Sequence, residues 1–277
     1  IFYINYFFFV LFSKFLFCFL TKINRQVSFG QNIEFIYELV YRPNVDDEKT
    51  NKEYFSLLYD TDQQQSYFKN ITGLEENWAS KNEIGFNTQV FKDFKGNKFY
   101  LLDKVLSKFY KNDFKKINNW MITNDSKYIL NHKTYQAKIA SGGRNWVAWY
   151  SAEIPFADGP YKFNGLPGLI FEITDTENNY SFKLVQILKS NKNIILPNYT
   201  SLNDDDLKKL KKKTLENPSS NLMLAINQMK GNNMGFSVTF DNKNIDEKEM
   251  AEQLDKEIKD FNKTFNNPIE IGDVWLK

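Results

Sequence analysis

One cysteine and one histidine in 277 residues leave little from which to build thiol or metal chemistry. No CxxC, HExxH or paired-histidine spacing occurs, so neither a zinc site nor a Cys–His nucleophile has its parts. Arginine is scarce too, with only Arg25, Arg42 and Arg144. Fork recognition of phosphates and base edges favours arginine, and a net charge of +2 gives no field to draw in a polyanion. Nucleic acid is therefore excluded as a partner. Twelve glycines and seven prolines are too few for a fibrous or low-complexity chain. Neither GxGxxG nor GxxxxGK[ST] occurs, and Gly142-Gly143 reads as a hairpin turn rather than a phosphate cradle. No cofactor and no metal are expected.

Aromatic residues are abundant: 26 Phe, 15 Tyr and 5 Trp, or 17% of the chain. The hydrophobic share of 42% and the charged share of 25% are otherwise those of an ordinary globular protein. Residues 1–20 are apolar except for Asn5, Ser13 and Lys14. Ser28-Phe29-Gly30 then sets small residues at the −3 and −1 positions of a signal-peptidase site. The expectation is an export signal over residues 1–30, with cleavage before Gln31. A retained membrane anchor and a buried helix are the alternatives. Lipidation at Cys18 is disfavoured by the bulky Phe17 before it. Membrane contact is expected only through this segment, if it stays uncleaved. Residues 31–277 would then contain no cysteine, so packing and not disulfides must hold them together.

From about residue 33 to 200 the apolar residues alternate with period two, the strand signal. Phe35, Tyr37, Leu39 and Tyr41 share one face, as do Ala137 and Ile139, and Tyr180, Phe182 and Leu184. Trp146, Ala148 and Tyr150 oppose Val147 and Trp149, making that strand apolar on both faces. Turn clusters follow at short spacing: 60–62, 95–97, 124–126, 141–143 and 177–179. This pattern indicates an antiparallel meander, not βαβ units. After residue 200 the period lengthens. Asn203 can cap a helix that opens with Asp204, Asp205 and Asp206 and continues into lysines. Pro218 can open a second helix, running to Gly231. Asp246 with Glu249 can open a third, with Met250, Leu254, Ile258, Phe261 and Phe265 as its stripe. Residues 269–275 could add a short strand. The expected fold is α+β: a curved antiparallel β-sheet, a meander that could curl into a half-barrel, followed by C-terminal amphipathic helices packing on it. Residues 31–277 form one domain, with 31–200 mainly β, 201–266 mainly α and 267–277 a tail.

Residues 165–170 read Gly-Leu-Pro-Gly-Leu-Ile. They follow Ala148 to Pro155 and the run Asp158-Gly159-Pro160-Tyr161-Lys162-Phe163. With Trp120, Arg144-Asn145-Trp146 and Asn267-Pro268-Ile269-Glu270, this block resembles the GLPGLI family of Bacteroidetes proteins. The resemblance runs from about residue 33 to 271. It implies an exported cell-envelope (periplasmic) protein, and it brings no established activity and no catalytic residues. Read from the residues, Leu166-Pro167-Gly168-Leu169 fits a type II turn, and Gly165 lets the backbone approach a neighbour closely.

Three roles remain open for this block: a fold-determining corner packed on tryptophans, a binding lip, or a catalytic loop. The candidate binding residues are Trp146, Trp149, Tyr150, Tyr161, Phe163, Gly165, Leu166, Pro167, Gly168 and Leu169. They would line an apolar pocket inside the curved sheet for a lipid or other apolar small molecule, or for a hydrophobic segment of a partner. The leading expectation is a non-enzymatic binding protein. The alternative is a structural or interaction protein associated with an outer-membrane complex. A hydrolase using Glu153, Asp158 and Glu172 comes third. His132 is expected in an exposed turn, and Asp204–Asp206 are explained by the helix start without calcium.

Overall fold

The computed structural model describes residues 32–74, 85–105, 108–216, 218–220, 223, 238–240 and 243–273. The expected export signal lies outside the described residues, as do most of the expected helix after Pro218 and the end of the expected last strand.

The strands are β1 (Asn32–Tyr41), β2 (Asn51–Asp60), β3 (Gln65–Asn70), β4 (Gln89–Asp93), β5 (Lys98–Val105), β6 (Lys108–Asp113) and β7 (Met121–Ile129). They continue as β8 (His132–Ser141), β9 (Arg144–Ser151), β10 (Leu169–Asp175), β11 (Tyr180–Ser190) and β12 (Tyr199–Ser201). Helix α1 (Asp204–Glu216), a small hairpin of β13 (Val238–Phe240) and β14 (Lys243–Ile245), and helix α2 (Glu247–Thr264) follow. The first twelve strands form one sheet in the order β12-β6-β5-β4-β3-β2-β1-β11-β10-β9-β8-β7. Every pairing in it is antiparallel except that of β12 with β6. Two meanders therefore grow outward from the central pair β1 and β11.

Chain connectivity forces this sheet to curve. In a flat sheet the ten spacings from β6 to β7 would cover about 48 Å. The eight Cα steps from Asp113 to Met121 can span at most about 29 Å. Residues 114–120 are thus a chord across the concavity, and Phe114, Ile117 and Trp120 of the chord pack against the main core. That core is made by the alternate residues foreseen from the sequence. Phe35, Tyr37, Leu39 and Tyr41 are wholly buried, with Phe55, Leu57, Phe68, Trp146, Ala148 and Phe182 in the same cluster. Its rings meet edge to face and in stacks, as Phe55 does with Phe68 at 4.8 Å and with Phe86 at 5.4 Å.

Several local expectations hold. Asn203 Oδ1 accepts from the Asp206 amide at 2.9 Å, and Asp246 Oδ1 from the Glu249 amide at 2.8 Å, so both helices carry side-chain caps. Gly142 and Gly143 take φ of 61° and 77°, the hairpin geometry between β8 and β9. Others do not. Asn124-Asp125-Ser126 is no turn but an irregularity inside β7, where the register shifts between Ile122 and Ser126. Residues 269–273 make turns instead of a strand. The stripe of α2 is deeply buried only at Phe261 and Phe265; Met250, Leu254 and Ile258 remain half exposed. No described helix is long and apolar enough to cross a membrane.

The segment after α2 is tied back to the sheet by a buried arginine. Arg144 donates to Asn267 Oδ1 at 2.6 Å, Pro268 O at 2.8 Å and Ile269 O at 3.0 Å, and pairs with Asp175 at 3.3 Å. Arg144 and Asn267-Pro268-Ile269, far apart in the chain, thus form one clamp. Arg144→Met would leave the Asp175 carboxylate buried without its cation, at a cost of about 3–5 kcal/mol. Arg144→Lys would recover charge but not the planar fork, and should fall between the two in a urea titration.

Candidate functional site

After β9 the chain does not turn straight into β10. Residues 152–168 fold onto the inner face of the sheet and fill it. The loop laces itself: the Gly165 amide donates to Ala157 O at 2.9 Å, the Leu169 amide to Ile154 O at 3.0 Å and the Ile170 amide to Asp158 O at 2.9 Å. Asp158 and Asn164 form an isolated antiparallel bridge, and neither is exposed at all. The turn at Pro167 differs from the type II expectation. The Gly168 amide donates to Leu166 O at 2.8 Å, a three-residue γ-turn centred on proline. Gly165, at φ +91°, passes so close to the chord that a Cβ would stand 2.0 Å from Ile117 O. Gly168, at φ +150°, would put one 2.1 Å from Ser151 O. Trp120 Nε1 donates to Asn164 O at 2.8 Å, fixing chord to loop.

A buried ion pair holds this loop down. Lys92 of β4 is wholly buried and points inward beside Val90, with Ser66 directly across on β3. Its Nζ donates to Asp158 Oδ1 at 2.5 Å, Gly159 O at 2.7 Å and Phe163 O at 3.3 Å, which uses all three ammonium hydrogens. Burial pulls the Lys92 ammonium below the usual lysine range, and Asp158 opposes that pull. Burial, reinforced by Asp158, pushes the phenols of Tyr37 and Tyr59 up, so both stay neutral. Tyr37 donates to Ile170 O at 2.6 Å.

The structure gathers most of the candidate binding residues and separates two. Trp146, Tyr150, Tyr161, Phe163, Leu166 and Leu169 are buried in the main core. Trp146 meets Phe163 edge to face at 4.7 Å, and Phe86 meets Tyr161 at 5.5 Å. These side chains occupy the interior that the sequence reading offered to a ligand. Trp149 is on the opposite face, under the Lys127 ammonium 4.4 Å from its ring, and Pro167 is exposed. The three candidate acids do not converge. Asp158 is spent on Lys92, and Glu172 on Lys127 at the outer face. Glu153 is held below the usual carboxylate range by its hydrogen bond from His132 at 2.8 Å. Asp204 pairs with Lys208 at the start of α1. Among the described residues no cluster of three or more acidic, histidine or cysteine side chains could hold a metal.

A cavity of about 530 Å³ lies instead on the outer face, over β11, β1, β2 and β3. Its floor is Ile36, Leu58, Ile71 and Leu188, of which the first three are buried. Residues 191–198 form a strap beside it. Ile194 and Leu196 pack on a second apolar cluster of Tyr67, Phe91, Tyr100 and Leu102, while Ile195 stays 79% exposed at the cavity mouth. Between Leu188 and Leu58 in the register, the buried Glu34 accepts from Ser56 Oγ at 2.6 Å and from Lys192 Nζ at 2.9 Å and 3.0 Å. Lys69 of β3 lies across from Ser56. The sequence reading follows only the face of β1 that carries Phe35, Tyr37, Leu39 and Tyr41, and so misses this cavity. The signals are present: Ile36 on the opposite face of β1, Leu58 and Tyr67 beside it, and Ile194-Ile195-Leu196 amid a Lys- and Asn-rich loop.

A family model described as "Protein of unknown function (Porph_ging)" matches residues 141–172, the hairpin turn, β9, the inserted loop and the start of β10. No match is found among curated proteins. Among solved structures, one of PNGF-II is similar with a TM-score of 0.51 at 14% identity, over 67% of this chain and 33% of that one. The chain thus spans about a third of the PNGF-II chain, and the similarity is one of fold. An uncharacterized conserved protein from Thermus thermophilus matches with a TM-score of 0.36 at 4% identity, over 63% of this chain and 91% of that one. A LolA superfamily protein from Nitrosomonas europaea matches with a TM-score of 0.27 at 6% identity, over 59% and 88%.

Removing Lys92 tests the anchor. Lys92→Met leaves the Asp158 carboxylate buried and uncompensated, and should cost about 3–5 kcal/mol in urea unfolding. Adding Asp158→Leu to that variant should restore much of the loss. A Lys92→Met protein as stable as the parent would show that the pair does not anchor the loop.

Proposed function

We propose that this chain is an exported, GLPGLI-type cell-envelope protein that binds an apolar ligand and has no catalytic activity of its own. The observation that supports this reading is the outer cavity, with its apolar floor and strapped edge, in the size range of small-molecule sites. The inserted loop then has a structural role: it fills the inner face so that the sheet can be curved and rigid behind the site. A rigid sheet of this kind holds the four floor residues at fixed spacing, which limits the ordering cost of binding. The scattered, individually paired carboxylates support the non-enzymatic part of the proposal.

A second reading, docking of a hydrophobic partner segment, is favoured by the exposure of Leu74 and Ile195 at the cavity edge. An outer-membrane protein would be the natural partner in that case. Native mass spectrometry of residues 31–277, purified from a periplasm and followed by organic extraction, separates the two. A stoichiometric apolar molecule that is retained less well in Leu188→Trp, where an indole narrows the cavity, is the expected result. Well-folded protein that arrives bare and takes up no apolar probe would overturn the ligand reading.

A further inference from the structure

We infer that the outer cavity takes an anionic amphiphile, an acyl chain ending in a carboxylate or phosphate, with Lys69 as the residue that selects the head group. The inference rests on the ligand-binding reading above and adds the charge of the ligand to it. Three charged side chains line the cavity: Glu34, Lys69 and Lys192. Glu34 is only 5% exposed, and its carboxylate is already satisfied by Ser56 and by both contacts from Lys192. That pair is neutral as a unit, so it neither repels an anion nor leaves a free carboxylate for a cation.

Lys69 has no carboxylate partner among the described residues. It is exposed, and its ammonium stands 5.9 Å from the centre of the Tyr67 ring, which orients it without neutralising it. The described residues that line the cavity therefore carry one surplus positive charge, on Lys69. Tyr67, its phenol pushed up to about 12 by burial, stays neutral and adds no opposing charge. The cavity runs across four adjacent strands, β11, β1, β2 and β3, so its three spacings cover about 14 Å. In the register Leu188 and Leu58 flank Glu34 in one row, and Ile36, Ser56 and Lys69 follow one another in the next. A hydrocarbon chain zigzagging between the two rows would touch Leu188, Ile36 and Leu58, pass over the already paired Glu34, and bring its terminal group to Lys69 on β3. A charge-assisted hydrogen bond to that ammonium is worth more than a neutral one, which gives the anion the advantage.

Titration calorimetry with three probes of one chain length tests this: dodecanoate, dodecanol and dodecyltrimethylammonium. Dodecanoate should bind about tenfold tighter than dodecanol, with the cation weakest. Lys69→Glu, a change at an exposed position, should abolish that preference. The preference should also shrink as salt is raised. Equal affinity for all three, or a preference that survives Lys69→Glu, would overturn the head-group assignment while the cavity remained a ligand site. Failure of all three to bind would remove the ligand-binding reading and this inference together.

Discussion

A curved sheet with an apolar inner face has to be filled, and the Lys92–Asp158 pair is what holds the filling in place. The twelve-strand sheet must bend because the chord 114–120 is too short to join the edges of a flat one. Bending creates a concave interior lined by Phe35, Tyr37, Phe55, Phe68 and Trp146. That interior cannot stay empty, since unpaired apolar walls lose both burial and dispersion contacts. The loop 152–168 supplies Tyr161, Phe163 and Leu166 to occupy it. A loop brings its own backbone polar groups, however, and buried ones need partners. The Gly159 and Phe163 carbonyls gathered by the Lys92 ammonium, and the Asp158–Asn164 bridge, meet that need.

This arrangement divides the two faces of the sheet by role. The inner face is packed by the loop 152–168, and its aromatic residues are part of the main core. Among the described residues, the outer face is covered by Ile194 and Leu196 of the strap over β3, β4 and β5. Beyond the strap, Ile36, Leu58 and Leu188 are left under a cavity. Part of the outer face thus packs as a second core under the strap, and part lies under the cavity. That difference is the basis for proposing recognition on the outer face.

Much of the fold was legible in the sequence, because period-two alternation and turn residues act locally. The inward faces of β1, β9 and β11, the glycine hairpin at 142–143 and both helix caps follow from such signals. The special role of residues 165–168 was also legible as backbone demand: Gly165 sits where a Cβ would strike Ile117 O. What it approaches was not legible, because the chord and the loop meet only in three dimensions. The same holds for Lys92, an ordinary lysine by composition, whose burial depends on a partner 66 positions away. Trp149 was grouped with Trp146 by proximity in sequence, although strand alternation itself puts them on opposite faces. The bulge in β7 was misread because Asn, Asp and Ser serve irregular strands as well as turns.

The most direct test of this division is to locate a bound apolar chain. Photocrosslinking with a diazirine-bearing fatty acid, followed by peptide mapping, reports which face the chain touches. Labels in residues 34–36, 56–58, 67–74 and 186–195 are the predicted outcome. Labels within residues 146–173 would mean that the loop leaves the inner face to admit the ligand, and would contradict the account.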